Sequence, residues 1–277
     1  DALLKAISQH RPWVIGSADD RVAPSGLFHE VREGVGQGRM ELRYQPLLEL
    51  RTGRISKVEA LLRWADSGRR SEESLELAER SGIPDVLPRW VIGEAAGAAR
   101  WLSDSGFDQT VAINLANGSA VEGIDGLIGL LAAEGLFTHG RLEVEIPESL
   151  ITEDPINASE MVSELHSLAM TVAIDDFGAG YTSLSAVSGL GVDSLKIDRS
   201  FIATMSSIPA DEAVVRSTIE LCHKIGIEVT ALGVADDRTL EMLRSMGCDM
   251  AQGSAVCEPV SLEELPTRIA DIRRTLV

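Results

Sequence analysis

The sequence predicts an α/β protein in which eight strands and their connecting helices close into one (β/α)8 barrel. From Met40 onward, short apolar runs rich in strand-forming residues alternate with longer segments whose apolar residues recur every three or four positions. This alternation is typical of parallel strands joined by helices. Eight such units in about 240 residues fit a closed barrel, because an open doubly wound sheet usually has fewer strands.

The elements follow one another along most of the chain. The predicted strands cover residues 42–48, 58–64, 111–116, 142–147, 172–177, 194–198, 228–234 and 250–256. The predicted helices cover residues 84–103, 157–169, 211–225, 236–246 and 262–276. Residues 1–26 have weak patterning and end in an Ala-Pro-Ser-Gly stretch, which predicts a linker or the remnant of an upstream element. Residues 27–277 then form the barrel domain.

Composition excludes several classes of function. The formal net charge is −18, from 25 basic and 43 acidic residues, so we expect no binding to duplex nucleic acid, which needs clustered cations. The longest apolar stretch, 126–137, is interrupted by Glu134 and is too short to span a membrane within this segment. The three cysteines show no paired spacing, which favours a cytoplasmic location. The first residue is Asp, so we expect a piece of a longer protein with an upstream regulatory domain.

Five of the predicted strands carry polar side chains within apolar runs. These are Glu59, Asn114, Glu145, the pair Asp175 and Asp176, and Lys196, on the second to the sixth strand. A barrel has its active site at the carboxyl ends of its strands. Each residue alone could be a strand-end cap, but several carboxylates at one mouth raise one another's pKa unless cations neutralise them. Oxygen ligands with one amide suit Mg²⁺ or Mn²⁺, and an Asp shared by two ions suits attack on a phosphodiester.

The adjacent pair Asp175 and Asp176 needs a further step, because neighbouring residues on a strand point to opposite faces. The flexible stretch Gly178-Ala179-Gly180 follows directly. We expect the strand to end there, so that both carboxylates face the mouth. A helix N-cap role for one of them is the alternative.

These residues and their neighbours resemble the signature of EAL-domain cyclic di-GMP phosphodiesterases over roughly residues 27–270. The matching stretches are Tyr44-Gln45-Pro46, Glu59-Ala60-Leu61-Leu62-Arg63-Trp64, Asn114-Leu115, Glu143-Val144-Glu145-Ile146-Pro147-Glu148-Ser149, Asp175-Asp176-Phe177-Gly178-Ala179-Gly180-Tyr181, Leu195-Lys196-Ile197-Asp198-Arg199-Ser200 and Ala251-Gln252-Gly253. The chain is identified as a member of this family. The resemblance implies that residues 27–277 are an EAL domain, a modified TIM-like (β/α)8 barrel with one antiparallel strand.

The resemblance also implies a reaction, in which family members hydrolyse one phosphodiester of cyclic di-GMP to linear pGpG with two Mg²⁺ or Mn²⁺ ions. By matching positions, the first metal is bound by Glu59, Asn114, Glu145 and Asp175. The second metal is bound by Asp175 and Asp176, and Lys196 orients the attacking water. The catalytic set is therefore Glu59, Asp175, Asp176 and Lys196.

The same matching implies a dinucleotide pocket. Gln45, Leu61 and Arg63 match positions that contact cyclic di-GMP, and Gln252 matches a further polar residue of the active site. Arg63 suits a phosphate, because a guanidinium pairs with two oxygens at once. Segment 177–190 matches a region that often lies at a dimer interface in the family, so we expect a homodimer.

The chain departs from the family pattern at the seventh strand. The family has Ala-Glu-Gly-Val-Glu, whereas this chain has Ala231-Leu232-Gly233-Val234-Ala235. The first missing glutamate is a ligand of the second metal in the family, and the other helps to hold the loop after the Asp pair. Asp236 and Asp237 follow, but we expect them to cap the next helix. We therefore expect a degenerate site with a weakened second metal.

The dinucleotide pocket also departs from the pattern. Ser254 replaces the tyrosine of a Gln-Gly-Tyr motif, and stretch 256–259 lacks the usual aromatic residue and glycine. Pro88 stands where the family often has a guanine-binding Asp, and the loop at 65–71 is short. Each lost stacking contact weakens binding by about 1–3 kcal/mol per base, so we expect weak binding of cyclic di-GMP.

Three functions remain open on the sequence. We favour a catalytically impaired EAL domain that acts as a regulatory module through nucleotide binding or protein interaction. The alternative is an active Mg- or Mn-dependent phosphodiesterase in which Asp236 or water replaces the lost ligand. A scaffold that keeps its metal ligands without binding a nucleotide is the third.

Overall fold

The computed structural model describes residues 39–64, 86–114, 141–180 and 184–275. The predicted linker at 1–26 and the short loop at 65–71 lie outside the described residues. So do the ends of three predicted elements, at residues 84–85, 115–116 and 276, and part of the expected dimer segment, at 181–183.

Eight strands form a closed barrel in the order of the chain, which confirms the predicted fold class. The strands are β1 (Met40–Glu49), β2 (Arg54–Trp64), β3 (Thr110–Asn114), β4 (Arg141–Pro147), β5 (Thr171–Phe177), β6 (Ser194–Ile197), β7 (Glu228–Ala231) and β8 (Met250–Ala251). The carboxyl ends of β2 to β8 share one end of the barrel, which we call the mouth.

Strand β1 runs in the opposite direction to the others. It pairs antiparallel with β2 and with β8, whereas every other neighbouring pair is parallel. The prediction of eight parallel strands is therefore wrong for β1, and the antiparallel strand implied by the family resemblance is confirmed. The cause is the turn at residues 50–53, which is too short for the crossover that a parallel pair requires.

Helices occupy most of the connections between the strands. They are α1 (Val86–Asp104), α2 (Glu148–Glu153), α3 (Pro155–Ser167), α4 (Leu184–Ser188), α5 (Arg199–Thr204), α6 (Pro209–Lys224), α7 (Asp237–Met246) and α8 (Leu265–Thr275). The five predicted helices correspond to α1, α3, α6, α7 and α8. The other three span only five or six residues, too few for a helical periodicity to be visible in the sequence.

Strands β7 and β8 are shorter than predicted, ending at Ala231 and Ala251 rather than at 234 and 256. Beyond these ends, the segment that follows β7 crosses the segment that follows β8. Val234 N donates to the carbonyl of Gln252, and Ala255 N donates to the carbonyl of Val234. A Cβ at Gly253, which has φ +155°, would lie 2.2 Å from Val234 O. Glycine at 253 is thus what permits the crossing.

The barrel has an apolar outer face and a polar inner one. Val144 and Val229 are fully buried on the outer faces of their strands, and Leu165 of α3 and Ile219 of α6 are buried on the helices outside them. The buried polar residues of neighbouring strands, by contrast, alternate with outward-facing residues, so their side chains lie on the inner face of the barrel. The apolar layer therefore holds a set of polar side chains inside the barrel. No described helix is long and apolar enough to cross a membrane.

Candidate functional site

Lys196 of β6 lies at the centre of the predicted site, with only 2% of its surface exposed. Its Nζ donates hydrogen bonds to Glu59 Oε2 at 2.9 Å and to Glu145 Oε2 at 2.6 Å. Asp175 Oδ1 lies 3.4 Å from the same nitrogen. The barrel thus brings one lysine and three carboxylates from β2, β4, β5 and β6 together at its mouth.

Two side-chain amides complete this cluster. Asn114 Nδ2 donates to Glu59 Oε1 at 2.7 Å, and Gln252 Nε2 donates to Glu59 Oε2 at 2.7 Å. Gln252 Nε2 also lies 3.1 Å from Oε1 of Gln45. The carboxylate of Glu59 is therefore held by donors from β3, from β6 and from the residue directly after β8.

Two further predicted residues lie beyond Glu59 on the same face of β2. Leu61 and Arg63 follow it at alternate positions and are half-buried. One guanidinium nitrogen of Arg63, Nη1, donates to the carbonyl of Leu62 at 2.8 Å. These residues extend from the carboxylate cluster toward the rim of the barrel.

The Asp175-Asp176 pair occupies an irregularity of β5. Ile174 pairs with Leu195 and Phe177 with Ile197, so β5 has one more residue than β6 in this interval. Asp176 has φ +51°, a left-handed conformation that Asp tolerates better than most residues. The expected strand end before Gly178 is confirmed, since β5 ends at Phe177, but a bulge within the strand, rather than the strand end, interrupts the alternation of faces. Asp175 is largely buried and Asp176 is exposed.

The charges of the cluster do not balance. Burial alone would raise the pKa of Glu59, but the charge of Lys196 and three hydrogen bonds outweigh it and lower this pKa. Burial and the charge of Glu59 raise the pKa of Glu145 well above its usual range, and burial raises that of Asp175. Burial opposes the charge of Lys196, yet the three carboxylates raise its pKa well above its usual range. One lysine does not neutralise three buried acids.

Several oxygens of the cluster have no hydrogen-bond partner. Among the described residues these are Glu145 Oε1, Gln252 Oε1 and Asp175 Oδ1, all of them buried, and Asp175 Oδ1 has only its 3.4 Å ion pair with Lys196 Nζ. Unpaired buried oxygens beside excess negative charge fit a hard divalent cation, which prefers oxygen ligands. The described residues contain no group of three or more acidic, His or Cys side chains already spaced to hold a metal. A cation would therefore have to share the carboxylates with Lys196.

Glu148 of α2 has a role that the sequence analysis missed. Its buried Oε2 accepts hydrogen bonds from the backbone N–H groups of Gly178 at 2.8 Å and Gly180 at 3.1 Å. The loop after the Asp pair is thus held although Ala235 offers no carboxylate. The available signal was an acidic residue directly after Pro147, at the first position of a helix that begins at the mouth.

The residue that directly follows β7 is an apolar one, Leu232. Thr230 pairs with Lys196 on the inner face, and Leu232 is the next residue of that face, half-buried, with its N–H bonded to Ile197 O. Asp236 caps α7, where it accepts from Thr239 N at 2.8 Å and Thr239 Oγ1 at 3.2 Å. These bonds lower the pKa of Asp236. The predicted capping role of Asp236 is confirmed.

Comparison with known proteins places the chain in a class and then in a family. The closed barrel with one reversed strand defines a TIM-like (β/α)8 domain. The family description that matches residues 29–259 is "EAL domain". The chain belongs to the EAL domain family.

Relatives share the domain within longer proteins. The cyclic di-GMP phosphodiesterase NbdA of Pseudomonas aeruginosa is 30% identical over 248 residues, which cover 86% of this chain and 31% of NbdA. The bifunctional diguanylate cyclase/cyclic di-GMP phosphodiesterase MucR of the same organism is 30% identical over 252 residues, which cover 88% of this chain and 36% of MucR. The chain spans about a third of the length of these curated relatives.

Solved structures agree with the fold. The MucR phosphodiesterase in complex with cyclic di-GMP has a TM-score of 0.80 and 31% identity, covering 87% of this chain and 99% of that one. The EAL domain of Mycobacterium smegmatis DcpA has a TM-score of 0.69 and 33% identity, covering 84% and 98%. EAL phosphodiesterases in general depend on divalent metal ions.

Proposed function

We propose that this domain binds one divalent cation firmly and cyclic di-GMP weakly, hydrolyses the nucleotide little or not at all, and acts as a regulatory module. One observation carries the proposal. Leu232 directly follows β7, two residues after Thr230, which pairs with Lys196, and a second cation would need a carboxylate at this position. The cluster around Lys196, by contrast, retains its acids.

The first cation is assigned to Glu59, Asn114, Glu145 and Asp175. The unpaired oxygens of Glu145 and Asp175 support this assignment, and Asn114 uses its nitrogen toward Glu59, which leaves its carbonyl oxygen for a metal. Mg²⁺ or Mn²⁺ fits such hard oxygen ligands. A bound cation supplies the positive charge that these acids lack and acidifies water.

A second cation has fewer ligands. Asp175 and Asp176 are the acids left to hold it, since Leu232 has no oxygen and Asp236 is bonded to Thr239. The exposure of Asp176 leaves it in competition with water. Low occupancy of this ion is the physical reason for slow hydrolysis.

Lys196 serves as a donor rather than as a base in this proposal. Its Nζ donates to two carboxylates and lies 3.4 Å from a third, and these neighbours favour the charged ammonium, which can donate but not accept a proton. Its bonds to Glu59 and Glu145 fix its position on the inner face of β6. From there it can orient a water molecule and stabilise negative charge that develops on a phosphate.

Weak nucleotide binding follows from the pocket. MucR is a phosphodiesterase whose structure contains cyclic di-GMP, and this chain shares 31% of its sequence. By the family resemblance, Gln45, Leu61 and Arg63 are the residues that would contact the nucleotide here. The exposed Ser254 offers no ring on which a base could stack.

An active phosphodiesterase is the second candidate. The complete cluster around Lys196 and the loop held by Glu148 favour it, because both parts survive without the strand-seven acids. Relatives that are 30% identical carry the name phosphodiesterase.

Paired measurements on one sample separate these candidates. Conversion of cyclic di-GMP to pGpG is followed at millimolar Mg²⁺ and Mn²⁺, with MucR as a positive control, and calorimetry measures nucleotide binding. We expect micromolar or weaker binding with little or no turnover. Turnover as fast as that of MucR contradicts the proposal, and a sample with neither binding nor turnover indicates a scaffold.

A further inference from the structure

A chain of side-chain amides links the segment after β8 to a carboxylate of the proposed metal site. Gln45 Nε2 donates to the carbonyl of Cys257 at 3.0 Å, and Gln45 Oε1 accepts from Gln252 Nε2 at 3.1 Å. The same nitrogen of Gln252 donates to Glu59 Oε2 at 2.7 Å. Three hydrogen bonds thus connect Cys257 to Glu59 through two glutamines.

The direction of every amide in this chain is fixed by its neighbours. A backbone carbonyl only accepts, so Gln45 must turn its nitrogen toward Cys257 and its oxygen toward Gln252. Gln252 must then present its nitrogen, which suits the carboxylate of Glu59 on its other side. Reversing either amide would bring two oxygens together. Gln252 keeps this orientation although its own Oε1 is buried without a partner.

We infer that Gln252 and Gln45 are positioning residues for Glu59, with Gln45 acting through Gln252. This inference rests on the proposed assignment of Glu59 as a metal ligand. Donors outside the metal's own ligands usually set the orientation and affinity of a metal-binding carboxylate. Here the Gln252 amide holds Oε2 of Glu59, and Asn114 holds Oε1.

The chain of bonds also makes Glu59 sensitive to the segment at 253–260. That segment is tied to β1 next to Gln45, because Tyr44 N donates to Val260 O at 2.7 Å and Val260 N donates to Tyr44 O at 3.0 Å. A displacement of this segment moves the carbonyl of Cys257, and with it the amide of Gln45. The segment includes two of the departures from the family pattern, Ser254 and stretch 256–259, so the bonds connect this part of the pocket to the metal site.

The experiment measures Mn²⁺ affinity by calorimetry in the wild type, Gln252→Leu, Gln45→Leu and the double variant. We expect about tenfold weaker binding for Gln252→Leu, the size typical of a lost partner of a metal ligand, and about threefold for Gln45→Leu. The double variant should bind like Gln252→Leu alone, because Gln45 acts through Gln252. Additive losses in the double variant overturn the inference.

A matched control separates positioning from general stability. Gln109 is also a buried glutamine, and its Nε2 donates to the carbonyl of Ile55 at 3.0 Å, away from the metal site. Gln109→Leu should lower thermal stability and leave Mn²⁺ affinity unchanged. If Gln252→Leu behaves in the same way, its role is only structural and the inference fails.

Crystal structures of the metal-free wild type and of Gln252→Leu give a second measurement. We expect the carboxylate of Glu59 to leave its position between Asn114 and Lys196 in the variant. An unmoved carboxylate overturns the inference even if the wild type binds no Mn²⁺. Failure to bind cyclic di-GMP, by contrast, contradicts only the proposed function.

Discussion

The barrel interior contains two lysine–glutamate clusters of similar chemistry and different character. The upper cluster at the mouth consists of Lys196, Glu59, Glu145 and Asp175, and the lower cluster consists of Lys57, Glu143, Thr171, Ser194 and Glu228. Both are built on the same strands, since Lys57 and Glu143 each lie two residues before an acid of the upper cluster.

The lower cluster is balanced and saturated. Lys57 Nζ donates to Glu143 Oε2 at 2.6 Å, and the same oxygen accepts from Thr171 Oγ1 at 3.3 Å and Ser194 Oγ at 3.5 Å. Its second acid, Glu228, has a side chain that is 59% exposed. Burial alone would lower the pKa of Lys57, but Glu143 and Glu228 raise it.

The difference lies in what each cluster leaves unsatisfied. The upper cluster has three acids for one lysine and buried oxygens without partners, whereas the lower one matches one buried acid to one lysine. A buried ion pair alone therefore does not mark a ligand site. Excess charge of one sign together with unpaired oxygens does, because a ligand of opposite charge relieves both, whereas protonation relieves only the charge.

The largest expected effect is on the lower cluster. Glu143→Leu leaves the ammonium of Lys57, whose side chain is only 14% exposed, without its buried partner. We expect a loss of about 3 kcal/mol in the free energy of unfolding, since the exposed Glu228, 3.5 Å away, compensates this buried charge only in part. Urea denaturation measures this loss, and Mn²⁺ affinity of the folded variant should stay unchanged. Loss of Mn²⁺ binding with unchanged stability would reverse the roles of the two clusters.

Removing an acid from the upper cluster should change stability little and Mn²⁺ affinity strongly, the reverse of what we expect for the lower cluster. In Glu145→Gln, the amide oxygen still accepts from Lys196, and one negative charge leaves a cluster that has too many. We expect the free energy of unfolding to change by less than about 1 kcal/mol, while Mn²⁺ affinity falls by roughly thirtyfold or more, or about 2 kcal/mol. A destabilisation as large as that of Glu143→Leu would show that both clusters are structural.

A smaller effect is expected from restoring the acid at the end of β7. Leu232→Glu adds an oxygen ligand directly after β7, where the family pattern has one. We expect about five- to tenfold tighter binding of a second Mn²⁺, or about 1 kcal/mol, and a measurable rate of pGpG formation. Calorimetry and a turnover assay at millimolar Mn²⁺ test this.

Adding Ala235→Glu to Leu232→Glu should raise the rate further, but by less, because Glu148 already holds the loop through Gly178 and Gly180. Leu232→Gln, of similar size without the charge, is the control. A wild type that is slowed by Leu232→Glu would contradict the view that this position limits hydrolysis.

The sequence predicted the barrel and most of the site because its signals are local. Inward residues alternate along a strand, so acids and a lysine inside apolar runs were visible at Glu59, Glu145 and Lys196. The direction of β1 could not be predicted, because apolar and polar residues alternate in the same way along parallel and antiparallel strands. The bulge at Asp175-Asp176 could not be predicted either, because it adds one residue to β5 and leaves the composition of the strand unchanged. The bond between Gln252 and Glu59 depends on barrel closure between residues far apart in the chain.

The reversal of β1 also determines where the chain enters the barrel. Met40, at the start of β1, pairs with Trp64, at the mouth end of β2. In a barrel of eight parallel strands the first strand would begin at the floor, far from the chemistry. Here the start of β1 lies at the rim of the barrel mouth, close to Arg63. A displacement of Met40 would therefore reach the rim of the mouth first, through the pairing of Met40 with Trp64, and the floor of the barrel last.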